Sequence, residues 1–324
     1  MSGSSERLLI AHSGADLYLD ALGRSHPRLD IAVARSPGEL ADILGGGFEP
    51  TMAFSCTTFS FARHLHRPIV ESPGLRWLHV GGAGFEHFSG FDAGRILVTN
   101  GRGVLAEVQA DTIMGVIIAL NHDFAAFRKA QADRRFEPRA VRPLAGQKLA
   151  IVGAGAIGCA LAGRARAHGL HVIAVSRGGG LPPGFDEVRP FAQLGRSLAD
   201  ADIVSLNLPL TDATRGLVGR PLLMAMKEDA LLVNTARGAV IDEPALVAVL
   251  EEGRFRGVYL DVFESEPLSP DSPLWGMERV FLTPHCSDQV SDWEERHAAF
   301  FMDNLARRLA DEPLLNVVSA PPPS

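Results

Sequence analysis

At 324 residues the chain is long enough for about two domains, and 46% hydrophobic with 21% charged residues is the composition of a globular protein, neither disordered nor membrane-embedded. A net charge of −7 without any clustered run of Lys and Arg excludes a polyanion-binding surface, and no apolar run approaches the ~20 residues of a membrane span. Cys56, Cys159 and Cys286 are too few and too scattered for a disulfide framework or a zinc site, and MSGSSERLLIAH has no signal-peptide pattern, so no metal and a reducing, cytoplasmic setting are expected.

The first hundred residues read as an α/β domain. Leu8–Ala11, Ile31–Ala34, Met52–Ser55, Leu78–Val80 and Ile96–Val98 are short apolar runs between polar, Gly- and Pro-bearing stretches, the pattern of parallel strands. SPGELADILGGG supplies a helix, with Ser36 as cap, Pro37 in the first turn, Glu39 three residues on, and glycines from Gly45 to stop it. Beyond Val80, the turn Gly81, Gly82, Ala83, Gly84 has almost no side chains. It reads either as a cradle of bare N–H groups for a small anion such as a carboxylate or as a plain tight turn. Val104 to His122 has apolar residues at helical spacing and a polar face at Glu107, Asp111 and Asn121. The spacing predicts one helix of about five turns, buried in its own domain or against a second subunit. Residues 127–146, polar and broken by Pro138 and Pro143, read as an exposed connector.

Lys148 to Arg177 then reads strand, turn, helix, strand. Gly153, Gly155 and Gly158 fall at G-x-G-x-x-G spacing after the apolar run Leu149–Val152, and a second run, Val172–Val175, follows at the distance a βαβ unit requires. Such glycines permit a tight turn, an approach of bare backbone to a diphosphate, and close helix–sheet contact. The diphosphate then sits on the helix N-terminus, over Ala156 and Ile157, where unpaired N–H groups favour an anion. An NAD site usually has Asp or Glu at the end of the second strand. This chain has Ser176 and Arg177, and a guanidinium suits a 2′-phosphate, so NADP(H) is favoured and NAD(H) is the alternative.

After a loop at 178–188, Ile203–Leu206 is a strand opening into NLPLTDATRGLV, where Pro209 breaks the regular structure and Thr211 and Thr214 present hydroxyls. Ala230–Val233 is a strand, followed by a turn and a helix with Asp242 as cap and Pro244 in its first turn; Val258–Val262 and Val280–Leu282 are two more strands. If these share one parallel sheet, Arg237, Glu266 and His285 all lie at its carboxyl edge, where ligands of open α/β sheets bind. Carbonyl reduction needs an anchor for the substrate anion, a proton donor for the developing alkoxide, and a carboxylate to keep that donor charged and oriented. Arg, His and Glu supply these in turn.

The segments GAGAIG, NLPLTDATRGLV, LLVNTARGAVIDEPALVAVLEEG, LDVFESEPL and LTPH, with the earlier HVGGAGFEHF loop, resemble the D-isomer-specific 2-hydroxyacid dehydrogenases over nearly the whole chain. The resemblance implies two doubly wound parallel-sheet domains, a Rossmann-type dinucleotide domain (101–287) inserted in a flavodoxin-like substrate domain (1–100 and 288–324). It implies a homodimer through the dinucleotide domain, which would give the Val104–His122 helix its apolar partner. It further implies that Arg237 binds the substrate carboxylate and carbonyl, that Glu266 and His285 form the acid/base pair, and that Ala83 and Gly84 offer N–H groups to the carboxylate. Leu208, Pro209, Thr214, Ala236 and Asp261 would contact the cofactor. The chain departs from the family pattern at Glu86, where Asp is usual, at CSDQVSDW after His285, where small residues are usual, and at Phe136, near a frequent Trp. Ser176 and Arg177 match the NADPH-preferring glyoxylate and hydroxypyruvate reductases. The expected activity is therefore hydride transfer between NADPH and a small 2-keto acid such as glyoxylate or hydroxypyruvate. The alternatives are an NAD-dependent dehydrogenase of a larger D-2-hydroxy acid and a dinucleotide-sensing regulatory protein on the same fold, which the short SAPPPS end disfavours.

Overall fold

The computed structural model describes residues 6–318 apart from 59, 86, 87 and 89, so Glu86 and the SAPPPS end lie outside the described residues. The chain divides into two units, Met1–Leu105 with Val290–Ser324 and Ala106–Gln289. The crossings fall at 105/106 and 289/290, a few residues beyond the 100/101 and 287/288 that the sequence suggests.

The first unit begins with β1 (Arg7–Ala11), α1 (Asp16–Ser25), β2 (Asp30–Ala34), α2 (Pro37–Gly45), β3 (Met52–Ser55), α3 (Pro68–Glu71), β4 (Trp77–Val80) and β5 (Leu97–Asn100). Ser36 Oγ accepts the Glu39 N–H at 3.2 Å and Pro37 opens α2, as the cap pattern predicts.

The second unit holds α4 (Ala106–Asn121), α5 (Phe124–Ala132), β6 (Lys148–Val152), α6 (Ala156–Ala167), β7 (His171–Ser176), β8 (Glu187–Pro190), α7 (Leu194–Asp200), β9 (Ile203–Leu206), α8 (Arg220–Ala225), β10 (Leu231–Asn234), α9 (Glu243–Glu251), β11 (Gly257–Leu260) and β12 (Val280–Leu282). Its sheet runs β12-β11-β10-β9-β6-β7-β8, every pair parallel. The order reverses between β6 and β9, so the crevice at their carboxyl ends is the switch point of a dinucleotide fold. Both faces of the sheet are covered, and its central strands are continuous apolar runs for that reason.

The chain then returns to the first unit as α10 (Trp293–Leu309) and β13 (Val317–Val318). The first sheet runs β13-β5-β4-β3-β1-β2, with β1–β5 parallel and β13 antiparallel on β5. Against one face α10 packs Phe301, whose ring stacks on Phe54 at 4.3 Å.

Of the two readings of α4, burial in its own domain holds: Ile113, Met114 and Ile117 pack with Leu161, Ala162 and Ala165 of α6 in the same core. Two expectations are corrected. The connector is partly helical, since Asp123, at φ 53°, ends one helix and accepts the Ala126 N–H at 3.3 Å to start α5. The loop at 178–188 runs into β8, an edge strand without an apolar run, whose Arg189 bridges Glu187 and Asp200.

Candidate active site

At the switch point the glycines carry the geometry their spacing predicts. Gly153 has φ +105°, and a Cβ there would strike the Asn207 carbonyl oxygen just past β9; at Gly158 it would strike the Gly153 carbonyl oxygen. Gly155 meets nothing, and it and Ala156 are exposed, so the backbone at the start of α6 is open to an approaching phosphate. No side chain caps α6. Ile157 instead packs its side chain on the core below. Asn207 Oδ1 and Thr235 Oγ1, buried at the ends of β9 and β10, find no partner among the described residues. Buried polar atoms of this kind fit a ligand that brings its own donors. The residues present thus suit a dinucleotide.

Around that crevice, Ser176 Oγ donates to the Gly178 carbonyl at 3.1 Å, while the Arg177 side chain is exposed at the end of β7. Leu208 and Pro209 follow β9 at the same edge. Thr214 is buried, and its hydroxyl accepts the Thr211 N–H (2.8 Å) and donates to the Pro209 carbonyl (2.7 Å). It shapes the loop that presents Leu208 and Pro209.

Arg237 rides on a turn built by Asn234. The Asn234 Oδ1 accepts the Ala236 N–H and its Nδ2 donates to the Arg237 carbonyl, both at 3.1 Å, and the guanidinium donates to the Ala236 carbonyl at 2.7 Å. Gly238 lies against the backbone of Phe263 and Glu264, with no room for a Cβ. That contact brings the Arg237 turn beside the loop carrying Glu266. One oxygen of Glu266 accepts the Phe263 N–H at 3.1 Å, and the other pairs with His285 Nδ1 at 2.7 Å. A carboxylate on Nδ1 fixes the ring and leaves Nε2 as the atom that gives or takes a proton.

His285 has φ 51°, a left-handed conformation, and its N–H donates to the Asp261 carbonyl at 2.8 Å. The buried Asp261 carboxylate accepts from Thr283 Oγ1 (2.5 Å), the Cys286 N–H (2.9 Å) and Ser287 Oγ (2.5 Å). It therefore organises the histidine loop, whatever else it contacts. Asp288, on the same loop, is a charged neighbour that the sequence does not single out. Burial and the Asp261 charge push its carboxyl above the usual range, and His285 and Arg237 pull it back. The Cys159 and Cys286 thiols are both pushed up, by burial in each case and for Cys286 also by Asp261 and Asp288.

The Gly81–Gly84 turn belongs to the first unit. Gly81 sits against Cys56, the Ala83 carbonyl accepts Asn100 Nδ2 at 2.6 Å, and Gly82 and Ala83 are exposed. Phe136 is 98% exposed.

Residues 114–287 match the family model described as D-isomer specific 2-hydroxyacid dehydrogenase, NAD binding domain. The chain belongs to that family. A glyoxylate reductase of Aeropyrum pernix is 36% identical over 253 residues, 73% of this chain and 74% of that protein. A D-isomer specific 2-hydroxyacid dehydrogenase family protein from Aeromonas salmonicida superposes with a TM-score of 0.87 at 28% identity, covering 98% of this chain and 100% of that one. A family member from Xanthobacter autotrophicus, solved with NADPH and MES, gives 0.80 at 28% identity, covering 98% and 99%. This chain is accordingly a nicotinamide-dinucleotide-dependent 2-hydroxyacid dehydrogenase, an oxidoreductase with a Rossmann-type domain. Among the described residues, no helix is long and apolar enough to cross a membrane.

Proposed function

We propose that the protein reduces a small 2-keto acid, glyoxylate or hydroxypyruvate, with NADPH preferred over NADH. The observation that carries the chemistry is the 2.7 Å His285–Glu266 pair on the sheet edge that also bears Arg237 and the glycine turn. The dinucleotide supplies a hydride to the keto carbon. Arg237 binds the substrate carboxylate and carbonyl and polarises the latter; it holds its charge throughout. His285 Nε2 delivers the proton to the developing alkoxide oxygen, while Glu266, bonded to Nδ1, holds the ring in place. Ala83 and Gly84 offer backbone N–H groups to the substrate carboxylate. Leu208, Pro209 and Ala236 line the dinucleotide, and the Asp261 loop borders it.

NADPH preference rests on Arg177, an exposed guanidinium at the end of β7 where a ribose-binding carboxylate is missing. The homologue from Xanthobacter, solved with NADPH, supports the cofactor, and the Aeropyrum glyoxylate reductase supports the substrate class. We further propose a cytoplasmic homodimer built on the second unit, with the 133–143 segment rather than α4 reaching the other copy, because Phe136 and Val141 are apolar and exposed there. Steady-state rates on a panel of 2-keto acids with each cofactor test the assignment, and light scattering on the same sample reports one chain or two. Turnover of glyoxylate or hydroxypyruvate at higher kcat/KM with NADPH is expected. A larger keto acid turned over best with NADH would overturn it.

A further inference from the structure

Gln109 is a buried polar residue that no part of the proposed chemistry uses. It lies on α4, four residues beyond Leu105, where the chain leaves the first unit. Its Nε2 donates to Ser287 Oγ at 2.9 Å and to the Thr235 carbonyl at 3.3 Å. Thr235 is the second residue before Arg237. Ser287 is the second residue after His285, and it lies three residues before Val290, where the chain re-enters the first unit. One amide thus ties together the turn of the anchor, the loop of the acid, and the two stretches of chain beside both crossings.

The network continues beyond Ser287. Its hydroxyl and N–H both bond Asp261, which also takes the Cys286 N–H and the Thr283 hydroxyl. Thr283 in turn meets Tyr259 at 2.8 Å. The His285 loop therefore hangs from Asp261 on one side and from Gln109 on the other. Asp261 reaches the Arg237 turn through backbone, where its N–H donates to the Asn234 carbonyl at 3.0 Å. The Gln109 side chain supplies a second link between the two loops.

We propose that Gln109 is a positioning residue for the reaction, a strut holding the Arg237 turn and the His285 loop in register through Thr235 and Ser287. It touches neither substrate nor cofactor and acts only through the two loops. A shift of about 1 Å in reacting groups can cost about a hundredfold in rate, so a strut of this kind reads out in kcat. The proposal rests on the catalytic roles given above to Arg237 and His285, and its test therefore includes a measurement independent of turnover.

Gln109→Leu keeps the volume and removes both donors, and Ser287→Ala removes the Gln109–Ser287 bond from the other side, together with the Ser287 hydroxyl's bond to Asp261, in case the first variant folds poorly. Hydrogen exchange read by mass spectrometry on the full chain is expected to rise at least about tenfold in both 234–239 and 283–288, with α4 and the rest of the second unit unchanged. In each variant kcat falls roughly tenfold or more while the NADPH Kd stays within about twofold, and the loss in the double variant is smaller than the product of the two single losses. Unchanged exchange in either loop, an increase confined to α4, or wild-type kcat in both variants overturns the strut. A wild-type protein that turns over no 2-keto acid overturns the proposed reaction instead, and the exchange measurement still decides whether Gln109 holds the loops.

Discussion

Removing the imidazole in His285→Ala is expected to lower kcat by the ~10² to 10⁴ of a lost general acid, with NADPH affinity retained because the residue lies away from the glycine turn. Glu266→Gln keeps a partner for Nδ1 but removes the anion, so its kcat falls by less. A fluorescence titration beside initial rates separates the two effects, and an active His285→Ala variant would place the proton transfer elsewhere. Arg177→Ala is expected to weaken NADPH by the ~1.5 to 3 kcal/mol of a charged hydrogen bond and to leave NADH nearly unchanged. Equal losses for both cofactors would remove Arg177 from the 2′-phosphate. Arg237, Glu266 and His285 were legible in the sequence because each is a polar residue just past an apolar run, and strand ends in a parallel sheet share an edge. Gln109, Ser287 and Asp288 were not. Gln109 meets partners 126 and 178 positions away, and no local period encodes such a pairing.

At the level of elements, the catalytic loops owe their separation to close backbone packing as much as to hydrogen bonds. Gly238→Ala would drive a Cβ into the Phe263 backbone, and neither segment is a flexible side chain that can turn away. The expected result is a loss of kcat and a Tm below that of Gly155→Ala, whose Cβ meets nothing in the protein. Thermal melts with rates on the same samples check this, and equal behaviour of the two variants would refute the packing argument. Most of the strands that announced themselves are buried on both faces, which demands continuous apolar runs; β2 and β12, at the sheet edges, are half-exposed. What escaped is amphipathic or short: β8 is an edge strand held by Arg189, β13 is two residues pairing on β5, and α5 starts from a left-handed Asp123 that looks like any loop aspartate. The glycine turn was legible down to individual positions, because the tight spacing leaves few geometries.

For the whole molecule, acid stability is set by buried histidines of the first unit. Burial pushes His79 down to about 3 and His297 down to about 4, and His12 is also lowered by burial, with Glu294 opposing. In the unfolded chain these groups titrate near about 6.5. Between about pH 6.5 and the folded values the unfolded state binds protons that the native state does not, so stability falls as pH falls. Each neutral histidine adds a slope of about 1.4 kcal/mol per pH unit across that window. Urea midpoints measured from pH 7 to pH 4 should decline, and His297→Gln should flatten the decline. A midpoint insensitive to pH over this range would contradict it.

The discontinuity of the first unit bears on how the protein is made. A ribosome releases β1 to β5 first, then all of the second unit, and only then α10 and β13. Phe54 and Trp77 must wait for Phe301, which is synthesised after the whole second unit, whereas that unit is complete as soon as Gln289 emerges. The contiguous unit is thus expected to fold during translation, and the interrupted one to stay open to chaperones or to aggregation until α10 emerges. A chain ending at Gln289 should therefore still bind NADPH while its first hundred residues take up a hydrophobic dye. Failure of that truncated chain to bind the dinucleotide would mean that the nascent halves fold only together.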